Sequence, residues 1–240
     1  MDFKNVIFKE DKAIITGVKN FDIKQILECG QCFRWDKISD TNYIIVANSR
    51  VIEITQDGDE VTIYNTNEED FKEIWMNYFD LDTNYDEIKE ALAQDDILKS
   101  SIEFGYGIRI LNQNTFEMLI SFIISARNSI PSIKKTVKKI CEKYGEKIVY
   151  RGIEYYTFPT PKQIKECTLE EIQETGASFR SKYIVDTVGK VNFALKTKED
   201  FESNPEKYDE KPESLDYDLD YIMSLNDDEC HVALQKFMGV

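Results

Sequence analysis

Short runs of β-branched and aromatic residues, separated by polar residues, dominate the first 65 positions of the chain. One run covers Tyr43 to Ala47, and Asp57 and Gly58 separate two later runs in the manner of a hairpin turn. β-Branched and aromatic residues are enriched in strands because their side chains pack well on a pleated surface. The pattern therefore predicts an antiparallel sheet in this part of the chain.

Farther along the chain, apolar residues recur at spacings of three and four, which is typical of amphipathic helices. The change from strand-like to helix-like segments falls near residue 105. We therefore predict two domains: residues 1–105 form an N-terminal antiparallel β domain with flanking helices, and residues 106–240 form a helical domain. Strands followed by helices along one chain indicate the α+β fold class.

The most apolar helix is predicted to begin at Asn114, because Asn114 and the glutamate three residues later match a capping box. Residues 116–124 are apolar at nearly every position, which indicates a helix packed on all sides. The run ends at Arg127 and Asn128, shortly before Pro131, a residue suited to the first turn of another helix. A buried helix thus carries polar side chains to a surface turn, although an ordinary connection between helices would give the same pattern.

Two later segments carry basic residues. Residues 131–144 place four lysines on one helical face, and such a face is usually just solvated. Residues 176–183 combine a glycine, small residues, Phe179 and Arg180 in one turn. That turn could bring a backbone and a ring against DNA, or it could be a tight turn between two helices.

The C-terminal part of the chain contains an acidic stretch and one more helix. Residues 193–219 are rich in acidic residues and contain two prolines, so we predict a linker there. Asn226 is predicted to cap a final helix that runs to Met238, with Gly239 as its stop.

Net charge changes the interpretation only when its distribution is considered. The value of −15 argues against nucleic-acid binding by the chain as a whole, because Lys and Arg neutralise phosphates. Residues 199–229, however, contain thirteen acidic residues and two lysines, whereas residues 127–190 contain thirteen basic and eight acidic residues. A basic middle with an acidic remainder is compatible with DNA binding on one side of the molecule.

Composition excludes several classes of protein. A hydrophobic fraction of 42% with 14 Phe, 13 Tyr and 2 Trp excludes a disordered chain. Neither a secretion signal nor a membrane-spanning run is visible, so we expect a cytoplasmic protein without membrane association. Cys29 and Cys32 form one C-x-x-C pair, which supplies too few ligands for structural zinc and does not open a helix as a redox pair would. We interpret the five cysteines as reduced and predict no metal site.

Five segments together resemble, in the same order, the 8-oxoguanine DNA glycosylases of the helix-hairpin-helix superfamily. They are GQCFRW at 30–35, YFDLD at 78–82, SFIISARNSI at 121–130, GASFRSKY at 176–183 and ALQKFMGV at 233–240. The resemblance implies an antiparallel β domain followed by an all-α helix-hairpin-helix glycosylase domain. It also implies a monomeric base excision repair enzyme, a DNA glycosylase with AP lyase activity that acts on double-stranded DNA containing oxidised guanine and needs no cofactor. Such enzymes flip the oxidised base out of the duplex, because its glycosidic bond cannot be attacked while the base is stacked.

The resemblance assigns recognition of the lesion to Gly30 and Phe122. Gly30 matches the glycine whose carbonyl accepts a hydrogen bond from the N7–H of oxidised guanine, a donor that normal guanine lacks. Phe122 matches a residue that lines the base pocket. Arg127 and Asn128 fall on the turn that fills the space left by the flipped base; Asn128 keeps the family's asparagine, and Arg127 departs from it.

Three further positions concern the DNA around the lesion. Phe179 occupies the position of the family's tyrosine wedge, and Arg180 matches an arginine that faces the opposite cytosine. Ser132 stands where the animal enzymes have a second arginine that reads cytosine. We therefore expect weaker discrimination against other bases opposite the lesion.

The last segment resembles the first helix and turn of the hairpin, in which the backbone at Gly239 would contact a DNA phosphate. The family continues with a lysine that attacks the sugar and, later, an aspartate; neither has a counterpart up to Val240, and Lys236 precedes the turn. We expect a chain cut off at the start of the helix-hairpin-helix, with no catalytic residue of its own and no excision or borohydride-trapped adduct. Two alternatives stay open: an alkylbase DNA glycosylase of the same superfamily, and a non-catalytic DNA-binding fragment.

Overall fold

The computed structural model describes residues 1–208, 210 and 212–240. Asp209 and Lys211, which belong to the acidic stretch, lie outside the described residues. The chain divides into two compact units. The first contains Met1–Gln113 and Ile148–Tyr155, and the second contains Asn114–Lys147 and Tyr156–Val240. The predicted α+β class is confirmed, because a six-stranded antiparallel sheet precedes a helical region.

The division between the units falls between Gln113 and Asn114, later in the chain than the boundary predicted at residue 105. The segment before the division is tied to the first unit by side chains that are distant in sequence. The Leu111 N–H, for example, donates to Oε1 of Gln31 at 2.9 Å. Local composition contains no signal for a bond of this kind, so the change in pattern near residue 105 marked the boundary too early.

The sheet of the first unit is antiparallel, as predicted. Its strands are β1 (Asn5–Lys9), β2 (Lys12–Thr16), β3 (Trp35–Ser39), β4 (Asn42–Ala47), β5 (Arg50–Asp57) and β6 (Glu60–Tyr64). They lie in the order β1-β2-β6-β5-β4-β3, so β2 pairs with β6 across the three strands that separate them in the chain. The hairpin between β5 and β6 is also confirmed, with Gly58 in its turn at φ +58°, a left-handed conformation that glycine adopts without strain.

Five helices accompany the sheet in the first unit. They are α1 (Ile23–Glu28), α2 (Glu68–Asp70), α3 (Met76–Tyr78), α4 (Tyr85–Leu92) and α5 (Asp96–Phe104). Asn67 caps α2 by accepting the Asp70 N–H at 2.8 Å, and a π-helical turn from Phe71 to Trp75 joins α2 to α3. The ring of Trp75 is fully buried in the same apolar core as the sheet residue Tyr43. The helical segment after the sheet therefore closes the core of the first unit.

A second, two-stranded sheet is present that the sequence pattern did not predict. Its strands are β7 (Lys147–Tyr150) and β8 (Ile153–Tyr156). Arg151 and Gly152 connect them with φ values of +50° and +76°, as a tight hairpin turn with two left-handed residues requires. The Tyr150 hydroxyl donates to the buried carboxylate of Glu53 at 2.9 Å. Strands of four residues are too short for their periodicity to be recognised, and this hairpin depends on contacts with the distant sheet.

The second unit is largely helical. Its helices are α6 (Thr115–Ser125), α7 (Ile130–Tyr144), α8 (Pro161–Ile164), α9 (Leu169–Ile172), α10 (Ser181–Ser203), α11 (Leu219–Met223) and α12 (Asp227–Leu234). Two predicted N-caps, Asn114 and Asn226, are confirmed, and two threonines cap α8 and α9 in the same way; each side chain accepts a backbone N–H from the first turn of its helix. These caps are Asn114, Thr160, Thr168 and Asn226. Capping acts over three residues, which is why it can be recognised in a sequence.

The predicted linker over residues 193–219 is wrong. Helix α10 continues to Ser203, and its Ala194 is fully buried. Farther on, the buried carboxylate of Asp218 lies 2.9 Å from Nζ of Lys198. Acidic residues dominate this stretch, but helix formation and ion pairing give ordered structure to the parts of it that the structure describes.

The final helix is shorter than predicted. It ends at Leu234 instead of Met238, and Phe237 beyond it is buried with 1% exposure.

Among the described residues, no helix is both long enough and apolar enough to cross a membrane.

Candidate nucleic-acid interface

One face of α6 is exposed, so the prediction that this helix is packed on all sides is wrong. Met118 and Phe122 are 42% and 56% exposed, and residues four positions apart share a helical face. Ile120 and Ile123, by contrast, are buried. Phe122, predicted to line the base pocket, therefore lies on the surface of the second unit.

The turn after α6 is closed by Asn128. Its N–H donates to the carbonyl of Ser125 at 3.1 Å, and its Nδ2 donates to the carbonyl of Ile124 at 3.1 Å. These bonds satisfy acceptors that a helix end leaves unpaired. The preceding residue, Arg127, is exposed and has φ +50°, an uncommon conformation for a residue other than glycine. Asn128 thus shapes the turn, while Arg127 is the side chain that the turn presents to solvent.

A second turn, residues 176–180, precedes α10, and we name it the wedge turn. Gly176 has φ +96° and Ser178 has φ +57°, so two left-handed residues redirect the chain over a short distance. The Ser181 hydroxyl then donates to the Ser178 carbonyl at 2.8 Å. Phe179 lies between these residues and is 50% exposed. The wedge turn therefore holds an aromatic ring at the surface.

Arg180 connects the two turns. Its Nε donates to the Ala126 carbonyl at 2.8 Å, and its Nη2 donates to the carbonyls of Ala126 and Arg127, the latter at 3.0 Å. Its Nη1 donates to the Ala177 carbonyl at 3.5 Å, and the guanidinium lies 4.4 Å from the centre of the Phe179 ring. The side chain is only 5% exposed. A contact between Arg180 and the opposite cytosine stays a prediction, and it would require the guanidinium to leave these carbonyls.

Tyr183 is not among the site residues that the sequence predicts, yet it lies against two of them. The rings of Phe179 and Tyr183 meet edge to face, with centroids 6.2 Å apart and an angle of 83°. Gly239 has φ +93°, and a Cβ atom built on it would lie 2.9 Å from Cδ2 of Tyr183. Both the positive φ and the lack of room for a Cβ atom require glycine at position 239. No local pattern indicates this contact, because Tyr183 and Gly239 are far apart in the chain.

Gly30 belongs to the first unit and lies in a turn after α1 with φ +94°. The neighbouring Gln31 fixes this turn, because its Nε2 donates to the carbonyls of Ile26 at 2.9 Å and Arg109 at 2.8 Å. The carbonyl of Gly30 accepts no hydrogen bond from any residue that the structure describes. A fixed turn with an unused acceptor fits the predicted contact with an N7–H donor, which stays a prediction.

Lys236 precedes the Gly239 turn and donates to the carboxylate of Asp216 at 2.6 Å. This hydrogen bond raises the pKa of Lys236 above its ordinary value. An amine that attacks a sugar carbon must be neutral, and a raised pKa favours the charged form. Lys236 is therefore poorly suited to act as a nucleophile.

Comparison with known proteins places both units in one family. Residues 13–119 match the model described as "8-oxoguanine DNA glycosylase, N-terminal domain", and residues 120–236 match "HhH-GPD superfamily base excision DNA repair protein". Together these two matches cover residues 13–236, so only the first twelve and the last four residues of the chain are unmatched.

Similar solved structures cover the whole chain. An 8-oxoguanine glycosylase/lyase of Clostridium acetobutylicum, in complex with dsDNA containing cytosine opposite 8-oxoG, is 46% identical, with a TM-score of 0.86 over 100% of this chain and 76% of that one. MBOgg1, in complex with a low-affinity DNA ligand, is 38% identical, with a TM-score of 0.86 over 100% of this chain and 75% of that one.

A curated relative is matched over a smaller part of its length. The N-glycosylase/DNA lyase of Saccharomyces cerevisiae is 29% identical over 188 residues, which are 70% of this chain and 49% of the relative. The chain thus spans about half the length of that relative. From the two matched domains and the similarity to the Clostridium structure, we conclude that the chain belongs to the 8-oxoguanine DNA glycosylases of the helix-hairpin-helix superfamily.

Proposed function

We propose that this protein is a DNA glycosylase with AP lyase activity that removes 8-oxoguanine from double-stranded DNA in base excision repair. The observation that carries the proposal is similarity along the whole chain to an 8-oxoguanine glycosylase/lyase in complex with dsDNA. Both units share in this similarity, so the proposal covers the part that would recognise the base and the part that would contact the duplex.

Exposed side chains of the second unit support a base-flipping mechanism. Phe179, on the wedge turn, has the size and polarity of the side chains that enter a base stack and unstack the duplex. Phe122 offers an exposed ring on which an extruded base can stack. Arg127, in the turn that follows the helix of Phe122, adds an exposed positive charge suited to the negatively charged DNA backbone. These three residues would open the duplex and hold the base outside it.

Gly30 would supply the chemical distinction between oxidised and normal guanine. Oxidised guanine carries a hydrogen on N7, whereas normal guanine has a lone pair there. The Gly30 carbonyl can accept a hydrogen bond from oxidised guanine, but normal guanine leaves this carbonyl unpaired. Leaving a buried acceptor unpaired costs about 1–3 kcal/mol, which corresponds to roughly 5- to 150-fold in affinity.

A direct test of the function uses labelled duplexes that differ at a single base. We expect the 240-residue chain to bind a duplex with 8-oxoguanine opposite cytosine about 5- to 150-fold more tightly than the same duplex with guanine. Preference for a duplex with methylated adenine would favour the alkylbase alternative. Equal affinity for all three duplexes would overturn the proposal and leave a DNA-binding protein without lesion recognition.

The AP lyase step requires a lysine amine that forms a Schiff base with the sugar. Lys236 is held in its charged form by Asp216, so we assign it no part in this step. We propose that the lyase activity of the protein depends on a lysine that these 240 residues do not supply, and that the 240 residues bind the lesion without forming the covalent intermediate. Borohydride converts a Schiff base into a stable bond, and a protein–DNA adduct trapped in its presence would contradict this.

Substitution of Gly30 by alanine should reduce lesion discrimination. At φ +94° the alanine Cβ strains the backbone, so the turn is expected to shift and move the carbonyl acceptor. The preference for the 8-oxoguanine duplex over the guanine duplex should fall at least about fivefold, with affinity for the guanine duplex unchanged. Gly58→Ala, at φ +58° in the β5–β6 turn, is a matched control that should leave the preference intact. An unaltered preference in Gly30→Ala would argue against Gly30 as the recognition acceptor.

We further propose that the protein is monomeric and cytoplasmic. A glycosylase that acts on one base at a time has no need for a second copy. Size-exclusion chromatography over a range of concentrations tests the first point, and cell fractionation tests the second.

A further inference from the structure

The C-terminal turn, residues 235–240, is anchored to the rest of the second unit on one side. Phe237 is buried and meets the ring of Tyr217 edge to face, with centroids 5.3 Å apart. The ammonium of Lys190 on α10 donates to the Lys236 carbonyl at 3.2 Å. These contacts fix the chain immediately before Gly239.

Tyr183 contacts the C-terminal turn on its other side. Gly239 approaches the ring so closely that a Cβ atom there would lie 2.9 Å from Cδ2 and 3.2 Å from Cγ of Tyr183. The same ring meets Phe179 edge to face, an arrangement that aromatic rings favour over a face-to-face sandwich. One half-buried side chain therefore touches both the aromatic tip of the wedge turn and the backbone of the C-terminal turn.

We propose that Tyr183 is a positioning residue that couples Phe179 to Gly239, so that the wedge turn and the C-terminal turn meet DNA as one preorganised surface. This inference rests on the proposed function, because it assigns both turns to DNA. A wedge that is already held in place avoids the ordering cost that a mobile side chain meets on binding. Tyr183 would not contact DNA itself; its effect would pass through the two residues that it touches.

A double-mutant cycle on the affinity for the 8-oxoguanine:cytosine duplex tests the coupling. We expect Tyr183→Ala and Phe179→Ala each to weaken binding about tenfold, and the double variant to weaken it by about 10- to 20-fold instead of the roughly 100-fold that independent effects would give. Tyr183→Phe keeps the ring and should bind within about twofold of the wild type. The proposal would be overturned if the losses of affinity in Tyr183→Ala and Phe179→Ala were additive, or if Tyr183→Phe lost as much affinity as Tyr183→Ala.

The matched control is Phe193→Ala, which removes another aromatic ring from α10. Phe193 is 62% exposed and lies outside both turns. Its loss is expected to change affinity by less than about twofold and to be additive with Phe179→Ala. Coupling between Phe193 and Phe179 as strong as that of Tyr183 would indicate a general effect on α10, and it would contradict the specific role of Tyr183.

Amide hydrogen exchange without DNA separates this inference from the proposed function. Tyr183→Ala should accelerate exchange in residues 176–180 and in residues 235–240 together, whereas Tyr183→Phe and Phe193→Ala should not. Unchanged exchange in both segments would overturn the coupling. If the wild type binds the lesion duplex no better than undamaged DNA, the proposed function fails, but the exchange result still decides whether Tyr183 joins the two turns.

Discussion

Replacement of Arg109 by leucine is expected to lower the free energy of unfolding of the first unit by about 3–5 kcal/mol, because it leaves a buried carboxylate without its partner. Arg109 is fully buried, and its Nη1 lies 2.8 Å from the carboxylate of Asp2, which is 2% exposed. The guanidinium also donates to backbone carbonyls, including that of Phe79 at 3.0 Å, and stacks 4.0 Å from the ring centre of Tyr85. Leucine would remove the cationic partner of Asp2, which would keep only its hydrogen bonds from Asn20 and the Tyr85 N–H, and it would remove the donor to the Phe79 carbonyl.

The measurement can be confined to the first unit. Both tryptophans, Trp35 and Trp75, belong to that unit, so their fluorescence during urea unfolding reports on its stability. The matched control is Arg50→Leu. Arg50 pairs with Asp70 at 3.1 Å but is exposed, so its loss should cost less than about 1 kcal/mol. If Arg109→Leu lowered the free energy of unfolding no more than Arg50→Leu does, the prediction would be contradicted.

The same pair gives the first unit a pH dependence in acid. Burial opposes ionisation of Asp2, but hydrogen bonds from Arg109, Asn20 and the Tyr85 N–H outweigh it and hold the pKa of the carboxyl below its ordinary value of 3.8. A carboxyl with a lowered pKa in the folded state stabilises that state above the unfolded pKa, and the stabilisation is lost as the pH falls through the folded pKa. The difference in stability between the wild type and Asp2→Asn should therefore be constant near neutral pH and shrink below about pH 4.

Replacement of Arg180 by methionine is expected to weaken DNA binding about tenfold or more and to destabilise the second unit by about 2–4 kcal/mol. Methionine fills similar space but cannot donate to the carbonyls of Ala126, Arg127 and Ala177. Carbonyls that lose their donor beside a buried side chain are costly, and the left-handed conformation of Arg127 would lose its support. Arg180→Lys should rescue little, because a single ammonium cannot reproduce the forked geometry of a guanidinium.

The base opposite the lesion distinguishes two roles of Arg180. A residue that positions the turn affects all duplexes equally, so Arg180→Met should weaken binding to the same extent with cytosine or adenine opposite 8-oxoguanine. A loss of affinity confined to the duplex with cytosine would show that Arg180 leaves the turn and contacts the cytosine. Lys196→Met removes an exposed charge from α10, the helix that follows the wedge turn, and should change affinity by less than about threefold.

Much of the fold could be predicted because its signals act over short distances. Asn114 and Thr168 satisfy an N–H within three residues, and Gly58 sits in a turn that joins neighbouring strands. The linker over residues 193–219 and the β7–β8 hairpin could not be predicted in the same way. A buried Ala194 or a tyrosine paired with the distant Glu53 depends on residues that meet only after folding.

From the amino-acid chain alone, the α+β class, the helix starts and the family could be recognised, because short patterns and the order of motifs are sufficient for each. The folded molecule was needed to determine which candidate side chains remain available to DNA. Arg127 and Arg180 are both arginines beside a turn, yet Arg127 is exposed, whereas Arg180 is buried and donates to backbone carbonyls. Exposure and hydrogen bonding arise between segments that are distant in sequence, and no local pattern encodes them.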